Sequence, residues 1–285
     1  MFLQPMLLET AARPFSHSDY IFEPKVDGHR LIFSQQSGIV RLYTRHNNDC
    51  TKQYPELHLP FNDDVILDGE VACVDPATGL NDFEAVMSRF STKQSRKIQQ
   101  LTSTLPVTFA IFDILQYRGR DLRKLPLMER KEILHGLSLP SRNFGIIPYI
   151  VGAGEDLFAQ IELSGMEGMV CKRKDSLYVS RRSRDWKKVI NWTHADVYIT
   201  GFKKAEFGWL AAVPDLSGKM RSAGIIELGV GPEHKQAFRG VCQQLVIGED
   251  KDYVYLKPRI RVKVKMRNWT KSGLLRIPVF DQFIV

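Results

Sequence analysis

Apolar and polar residues alternate along much of the first half of the chain, the period-two pattern of strands that bury one face. YIFEPKVDGHRLIF, IVRLYT, VILDGEVACV and VTFAIFDIL follow it, separated by glycine, Asn-Asn or proline-containing turns. Two segments shift to helical character. LPLMERKEILHGL carries Pro126 near its first turn and Gly136 near its end, and GEDLFAQIELSG opens on acidic residues that suit a helix N-terminus. Strands interleaved irregularly with helices predict an α+β domain and not a doubly wound parallel sheet.

From about Ala195 the texture changes. ADVYITGF, GWLAAV, GIIELGV and YVYLKPRIRVKVKM read as short strands around one helical insert, PEHKQAFRGVCQQL. Five or so strands in the last third of the chain predict a small β-barrel such as an OB fold. The boundary falls between Asn191 and His194, which gives one domain over 1–192 and a second over 193–285.

Composition narrows the class. A chain of 285 residues with 44% hydrophobic and 25% charged residues can bury an ordinary globular core. No apolar stretch approaches the roughly 20 residues that span a bilayer. The N-terminus MFLQPMLLETAARPF has no basic residue ahead of an apolar core, so neither secretion nor membrane insertion is expected. Cys50, Cys73, Cys171 and Cys242 are scattered, which disfavours a zinc cluster or disulfide framework and suits the cytoplasm. The net charge of +8 is concentrated near the C-terminus. In Arg259-Ile260-Arg261-Val262-Lys263-Val264-Lys265-Met266-Arg267 every odd position is cationic and every even one apolar, so one strand face carries five charges. A nucleic-acid backbone would neutralise such a face; an edge strand kept from aggregating by its charge is the alternative.

The segment richest in chemistry is Glu23-Pro24-Lys25-Val26-Asp27-Gly28-His29-Arg30. Lys25 stands between apolar neighbours at a strand end, where partial desolvation favours a neutral, nucleophilic amine. Gly28 permits a tight turn or close backbone approach, and Arg30 can meet phosphate through its planar fork. A surface ion-pair cluster would look the same on this segment alone. Downstream, Asp68-Gly69-Glu70, Phe109 and Phe112-Asp113, Glu167-Gly168 through Lys172, and Trp186-Lys187-Lys188 follow in order. Together they supply an amine nucleophile, carboxylates for a metal, cations for a triphosphate and an aromatic face for a base.

Lys25-Val26-Asp27-Gly28-His29-Arg30 resembles the K-x-D-G-x-R signature of the covalent nucleotidyltransferases, and the later motifs match in order. Pro5-Met6-Leu7 and Trp269 through Phe280 resemble the start and end of the ligase domain of bacterial end-joining ligases, so the resemblance covers essentially the whole chain. It implies an ATP-dependent DNA ligase with an adenylation domain followed by an OB fold, sealing 5′-phosphate/3′-hydroxyl breaks through lysyl-AMP on Lys25. Glu23 would read the adenine amino group, and Phe112 would stack on the ring. Phe109, three positions along a strand, faces the other way. Arg30 and Arg45 would meet ribose and phosphates, and Glu70 the ribose hydroxyl. Lys172 and Lys188 would contact the α-phosphate, with Glu70 and Glu167 serving a divalent metal, Mg²⁺. DNA would lie on Arg259, Arg261, Lys263, Lys265 and Arg267.

One departure stands out: the family's W-x-K-x-K ends here as Trp186-Lys187-Lys188-Val189-Ile190. Ile190 fills the second lysine position, and Lys187 points to the opposite strand face. The resemblance further implies a minimal ligase without nuclease or polymerase modules. It would work as a monomer in a bacterial cytoplasm at the nucleoid, alone on nicks or with Ku-type end-joining proteins. An RNA ligase or capping enzyme, and a non-catalytic DNA-binding protein on the same scaffold, are the rival readings.

Overall fold

The alternating runs of the first half form strands in the computed structural model, which describes residues 1–284. The chain divides into two compact units, Met1–Asn191 and the part from Trp192 onward. The first unit opens with β1 (Leu7–Thr10), β2 (His17–Pro24), β3 (His29–Gln36), β4 (Ile39–Thr44) and β5 (Val65–Cys73). Helices α1 (Phe83–Ser91) and α2 (Ser95–Thr104) precede β6 (Val107–Tyr117) and β7 (Arg120–Asp121). Then come α3 (Leu127–His135), β8 (Phe144–Ile146), β9 (Ile150–Gly152), α4 (Gly154–Ser164), β10 (Gly168–Arg173) and β11 (Arg182–Ile190).

These strands make two sheets. One runs β1-β11-β10-β2-β9; the other runs β4-β3-β5-β6-β7, with β8 beside β6. Most pairs are antiparallel, but β1–β11 and β6–β8 are parallel, so the sheets are mixed. Between the sheets lies a core of Met6, Ile21, Ile32, Ile66, Leu115 and Trp186. The second sheet buries its other face under α1 and the end of α3, through Phe33, Phe109, Val86 and Leu134. The first sheet is covered by α4, through Phe22, Met169, Phe158 and Ile161. This is an α+β sandwich in which each sheet has one face toward its partner sheet and one toward a helix.

Helices α1 and α2 were not foreseen. A signal for α1 was present: Asp82 caps it, its carboxylate accepting the Ala85 amide at 2.9 Å, and Glu84 follows in the first turn.

The second unit holds β12 (Thr193–Lys203), β13 (Trp209–Pro214), β14 (Met220–Ile226), α5 (Pro232–Cys242), β15 (Val246–Glu249), β16 (Tyr253–Met266) and β17 (Val279–Ile284). The strand order is β14-β13-β12-β16-β15, with β17 also on β16. Its core is built on Val197, Ile199, Trp209, Phe238, Val262 and Val264. Among the described residues no helix is long and apolar enough to cross a membrane.

Candidate active site

The Lys25–Gly28 turn carries the chain from β2 of one sheet to β3 of the other, so its residues sit where the sheets meet. Gly28 is required by packing: a Cβ there would stand 2.0 Å from the Val71 carbonyl oxygen on β5. The close approach inferred for this glycine is therefore to the protein's own backbone. Gly69 is forced in the same way, with the Phe109 ring 2.4 Å from any added Cβ.

Lys25 is anchored at both ends. Its amide donates to the Gly168 carbonyl at 2.8 Å, and its Nζ lies 2.6 Å from Glu167 Oε2. Glu70, directly across the β3–β5 ladder from Arg30, completes this group. Burial pushes the Glu70 carboxyl up to about 7. Lys25 and Arg30 oppose that rise, while Glu167 and Asp68 add to it. The structure thus brings Lys25, Glu70 and Glu167 together.

Arg30 is engaged by the protein itself. Its Nε and Nη2 donate to the two oxygens of buried Asp68 at 2.9 and 2.5 Å, and its Nη1 donates to the Met6 carbonyl at 2.6 Å. Burial opposes the guanidinium charge, but Asp68 more than restores it and raises the pKa. Buried Tyr178 donates to Asp68 Oδ2 at 2.6 Å and accepts the Met6 amide at 3.0 Å, locking this pair to the N-terminal segment. Neither Tyr178 nor the partnership of Asp68 with Arg30 was anticipated.

Glu23 is buried between two lysines. One of its oxygens meets Lys131 Nζ, and the other lies 2.7 Å from Lys172 Nζ. Lys172 also donates to the Phe112 carbonyl at 3.3 Å, and its ammonium sits 4.5 Å from the Phe112 ring centroid and 4.3 Å from that of Trp186. Burial pushes Lys172 down to about 8, with Glu23 opposing and Lys131 reinforcing the shift. Phe112 has Arg30 on its ring as well, at 5.2 Å, and faces the intersheet core, whereas Phe109 is wholly buried on the far side. Asp113 is buried with Arg130 in a two-point pair at 2.8 Å. Lys131 and Arg130 gave no sequence signal, because a short α3 with ordinary polarity looks solvent-facing.

His29 also lacked a signal. Its Nε2 lies 2.5 Å from Tyr54 Oη, and burial pushes its pKa down to about 4. Its folded value lies below the ordinary 6.5, so the unfolded chain binds more protons between those values. His29 therefore contributes stability above pH 6.5 that is lost as pH falls toward 4, by up to about 3 kcal/mol. His29→Gln should flatten the dependence of urea-unfolding free energy on pH in that window; an unchanged slope would contradict the assignment.

Other named residues stand apart. Arg45 lies in the exposed turn after β4, its Nε 2.9 Å from His46 Nε2. Lys188 is half-buried on the Trp186 face of β11, and Lys187 projects toward the rings of Phe15 and Tyr20 on the other. Ile190 shares the Lys188 face, pairs with Gly168 across the ladder and is 6% exposed. Ile190→Lys should therefore cost about 2 kcal/mol or more by burying an ammonium, without accelerating adenylation. A fully stable variant that adenylates faster would mean that the side chain reaches phosphate.

The basic run forms the second half of β16, with Val262, Val264 and Met266 buried and Arg259 and Arg261 exposed; Arg267 lies just past the strand. From Arg261 to Lys265 the strand is paired with β12 on one side and β17 on the other. That stretch is interior to the sheet, which removes the premise of the edge-strand alternative. Arg261 lies 3.4 Å from Asp196, and Lys265 and Arg267 lie over Trp192 at 5.5 and 5.0 Å.

No group of three or more His, Cys, Asp or Glu side chains among the described residues is placed to enclose a metal. Two carboxylates beside an amine suit an ion such as Mg²⁺, which keeps waters and takes its remaining ligands from substrate phosphates.

A strand-turn lysine between two sheets, with carboxylates and buried cations around it, defines a nucleotidyltransferase-type domain. The family model described as "ATP dependent DNA ligase domain" matches residues 5–189, and the chain belongs to that family. The SPbeta prophage-derived DNA ligase-like protein LigB of Bacillus subtilis (strain 168) is 38% identical over 287 residues, 100% of both chains. The multifunctional non-homologous end joining DNA repair protein LigD of Mycobacterium tuberculosis (strain ATCC 25618 / H37Rv) is 28% identical over 281 residues. That match takes in 91% of this chain but 35% of LigD, so the chain spans about a third of that relative. The solved ligase domain of M. tuberculosis LigD aligns with a TM-score of 0.60 at 26% identity, over 99% of this chain and 95% of that one.

Proposed function

We propose that this DNA ligase seals breaks between a 5′-phosphate and a 3′-hydroxyl in duplex DNA by carrying AMP on Lys25. The observation that carries this reading is the Lys25 amine held 2.6 Å from Glu167 at the junction of the two sheets, with Glu70 in the same electrostatic group. Nζ attacks the α-phosphorus of ATP; the N–P bond forms as the bond to the pyrophosphate oxygen breaks. Glu167 stands where it can take the amine proton. An oxygen of the DNA 5′-phosphate then attacks the AMP phosphorus and frees Lys25. Finally the 3′-hydroxyl oxygen attacks the DNA phosphorus, its proton is lost, and AMP leaves. When bound, Mg²⁺ would be held by Glu70 and Glu167 with substrate oxygens and would offset phosphate charge.

Around that centre Glu23 reads the adenine amino group and Phe112 stacks on the ring. Arg30 and Arg45 meet ribose and phosphates, Glu70 the ribose hydroxyl, and Lys172 and Lys188 the α-phosphate. For Lys172 this requires its amine to exchange Glu23 for phosphate, and for Arg45 it requires the exposed turn to approach the ligand. Residues 1–192 form the adenylation domain and residues 193–285 an OB fold. The bridge between Leu228, just after β14, and Val279 on β17 supports barrel closure. The setting is bacterial cytoplasm, as a monomer on nicked or broken DNA, with Ku-type end-joining proteins as the partner class; of these, the printed end-joining role of the LigD relatives supports only the work on broken DNA.

Sealing of a nicked duplex with a labelled 5′-phosphate, in ATP and Mg²⁺, tests the proposal against the same nick in RNA. Sealing confined to RNA, or none, would refute it. For the basic strand, Arg261→Glu with Lys263→Glu should leave most enzyme–AMP formation intact. It should also flatten the slope of log DNA affinity against log salt by about 0.9 per lost phosphate contact. Normal affinity with an unchanged slope would make this face merely solvated.

A further inference from the structure

We infer that the first unit carries a separate anion site, outside every nucleotide-binding residue named above, that takes backbone phosphate of the DNA. It is a cavity of about 370 Å³ lined by Asp121, Arg123, Lys124, Leu177, Ser180 and Arg181. Two segments build it: the end of β7 with the stretch that follows, and the loop between β10 and β11.

Charge is the first reason. Three cations face one carboxylate, and that carboxylate is already used: Arg123 binds both oxygens of Asp121, at 3.0 and 2.8 Å. These bonds, with a Coulombic contribution from Lys124, hold the Asp121 carboxyl below the usual carboxylate range, so it stays ionised and its one negative charge faces three cations. Lys124 and Arg181 are exposed, and neither makes a side-chain ion pair or hydrogen bond among the described residues. Two cations held at one concavity repel each other unless an anion lies between them. The Ser180 hydroxyl adds a neutral donor, and half-exposed Leu177 offers apolar surface to a sugar.

Rigidity is the second. The Tyr178 amide donates to the Arg123 carbonyl at 2.9 Å, the Leu7 amide to the Arg181 carbonyl at 2.9 Å, and the Arg181 amide to the Val179 carbonyl at 2.8 Å. The two walls are therefore bonded to each other and to β1, so a ligand meets cations whose backbone is already ordered.

Position is the third. Tyr178 belongs to the cavity lining, and its hydroxyl is bonded to Asp68, the partner of Arg30. Tyr178 Oη also accepts from Arg30 Nη2 at 3.4 Å, so one buried side chain links the cavity wall to the last residue of the signature. A duplex with its break at Lys25 can lay neighbouring phosphates along this surface, where cations position and do not read sequence. Phosphate chemistry is set by the side chains; the choice of DNA over the ATP triphosphate rests on the proposed ligase function.

The test uses the full chain with Lys124→Glu and Arg181→Glu, both exposed positions, checked for an unchanged melting temperature. Nicked-duplex affinity is titrated against salt, and labelled-AMP transfer is titrated against ATP. The expected result is a slope flattened by about 0.9 per lost contact, ATP dependence within about two-fold of wild type, and full recovery in Lys124→Arg with Arg181→Lys. An unchanged slope overturns the inference. So does a raised ATP requirement with normal DNA binding, which would give the cavity to the triphosphate. Equal flattening by Arg96→Glu with Lys97→Glu, exposed on α2, would also overturn it by reducing the effect to general charge. The proposed function fails separately: a wild-type protein that forms the AMP adduct yet neither binds nor seals nicked DNA sinks both readings.

Discussion

Lys25→Ala is expected to reduce formation of the protein–AMP adduct by about 10⁴-fold or more, while a nick already carrying 5′-AMP is still sealed. The first two steps make and break the Nζ–phosphorus bond, and no neighbouring amine can substitute. Lys172 is 1% exposed, engaged with Glu23 and enclosed by Phe112 and Trp186. The last step joins a 3′-hydroxyl to an activated phosphate and needs the bound metal and cations more than the amine. Some cost to the fold follows, because the Lys25–Glu167 ion pair is lost; a fall of roughly 2–4 °C in melting temperature corresponds to about 1 kcal/mol. A variant that keeps adenylating would place the nucleophile elsewhere. One that cannot seal a pre-adenylated nick would give Lys25 a second role.

The largest effect on stability is expected from Glu23→Gln. The amide preserves shape but removes the negative charge that Lys131 and Lys172 share, at 0% and 1% exposure. Breaking a buried pair by removing one partner costs about 3–5 kcal/mol, and Asp113, already paired with Arg130, offsets part of that for the two ammonium groups. Lys172, already pushed down to about 8, would surrender its proton more easily still. Adding Lys131→Met should recover part of the loss, with a coupling of about 1 kcal/mol or more in a double-mutant cycle. Urea unfolding at pH 7 measures both. A Glu23→Gln protein within about 0.5 kcal/mol of wild type would mean that water, not the carboxylate, satisfies the two ammonium groups.

What was legible in the sequence was local. The run IVRLYT is β4, the 14-residue strand β16 keeps its alternation of buried and open positions, and α4 ends at Gly165 in the left-handed conformation. The ordered motifs found Lys25, Glu70 and Glu167, which the fold brings together from three separate stretches. Pairing across long loops was not legible. Neither parallel pair carries a local mark, and the charged-edge alternative for the basic half of β16 stays open until β17 is seen beside it. The same limit hid the partners of the signature. Lys131 meets Glu23 across 108 residues, and Tyr178 meets Asp68 across 110. A motif lists groups that meet a ligand; it does not list the protein groups that hold them in its absence. For that reason Arg30 and Glu23, read as ligand contacts, are found engaged by Asp68 and by two lysines.

Mass spectrometry of the protein after incubation with ATP and Mg²⁺ shows whether AMP rides on Lys25. The expected result is one AMP per chain, acid-labile as a phosphorus–nitrogen bond is, mapped by fragmentation to Lys25 and discharged by adding nicked 5′-phosphorylated duplex. AMP on Lys131, Lys172 or Lys188 instead, or no adduct in a folded protein, would contradict it.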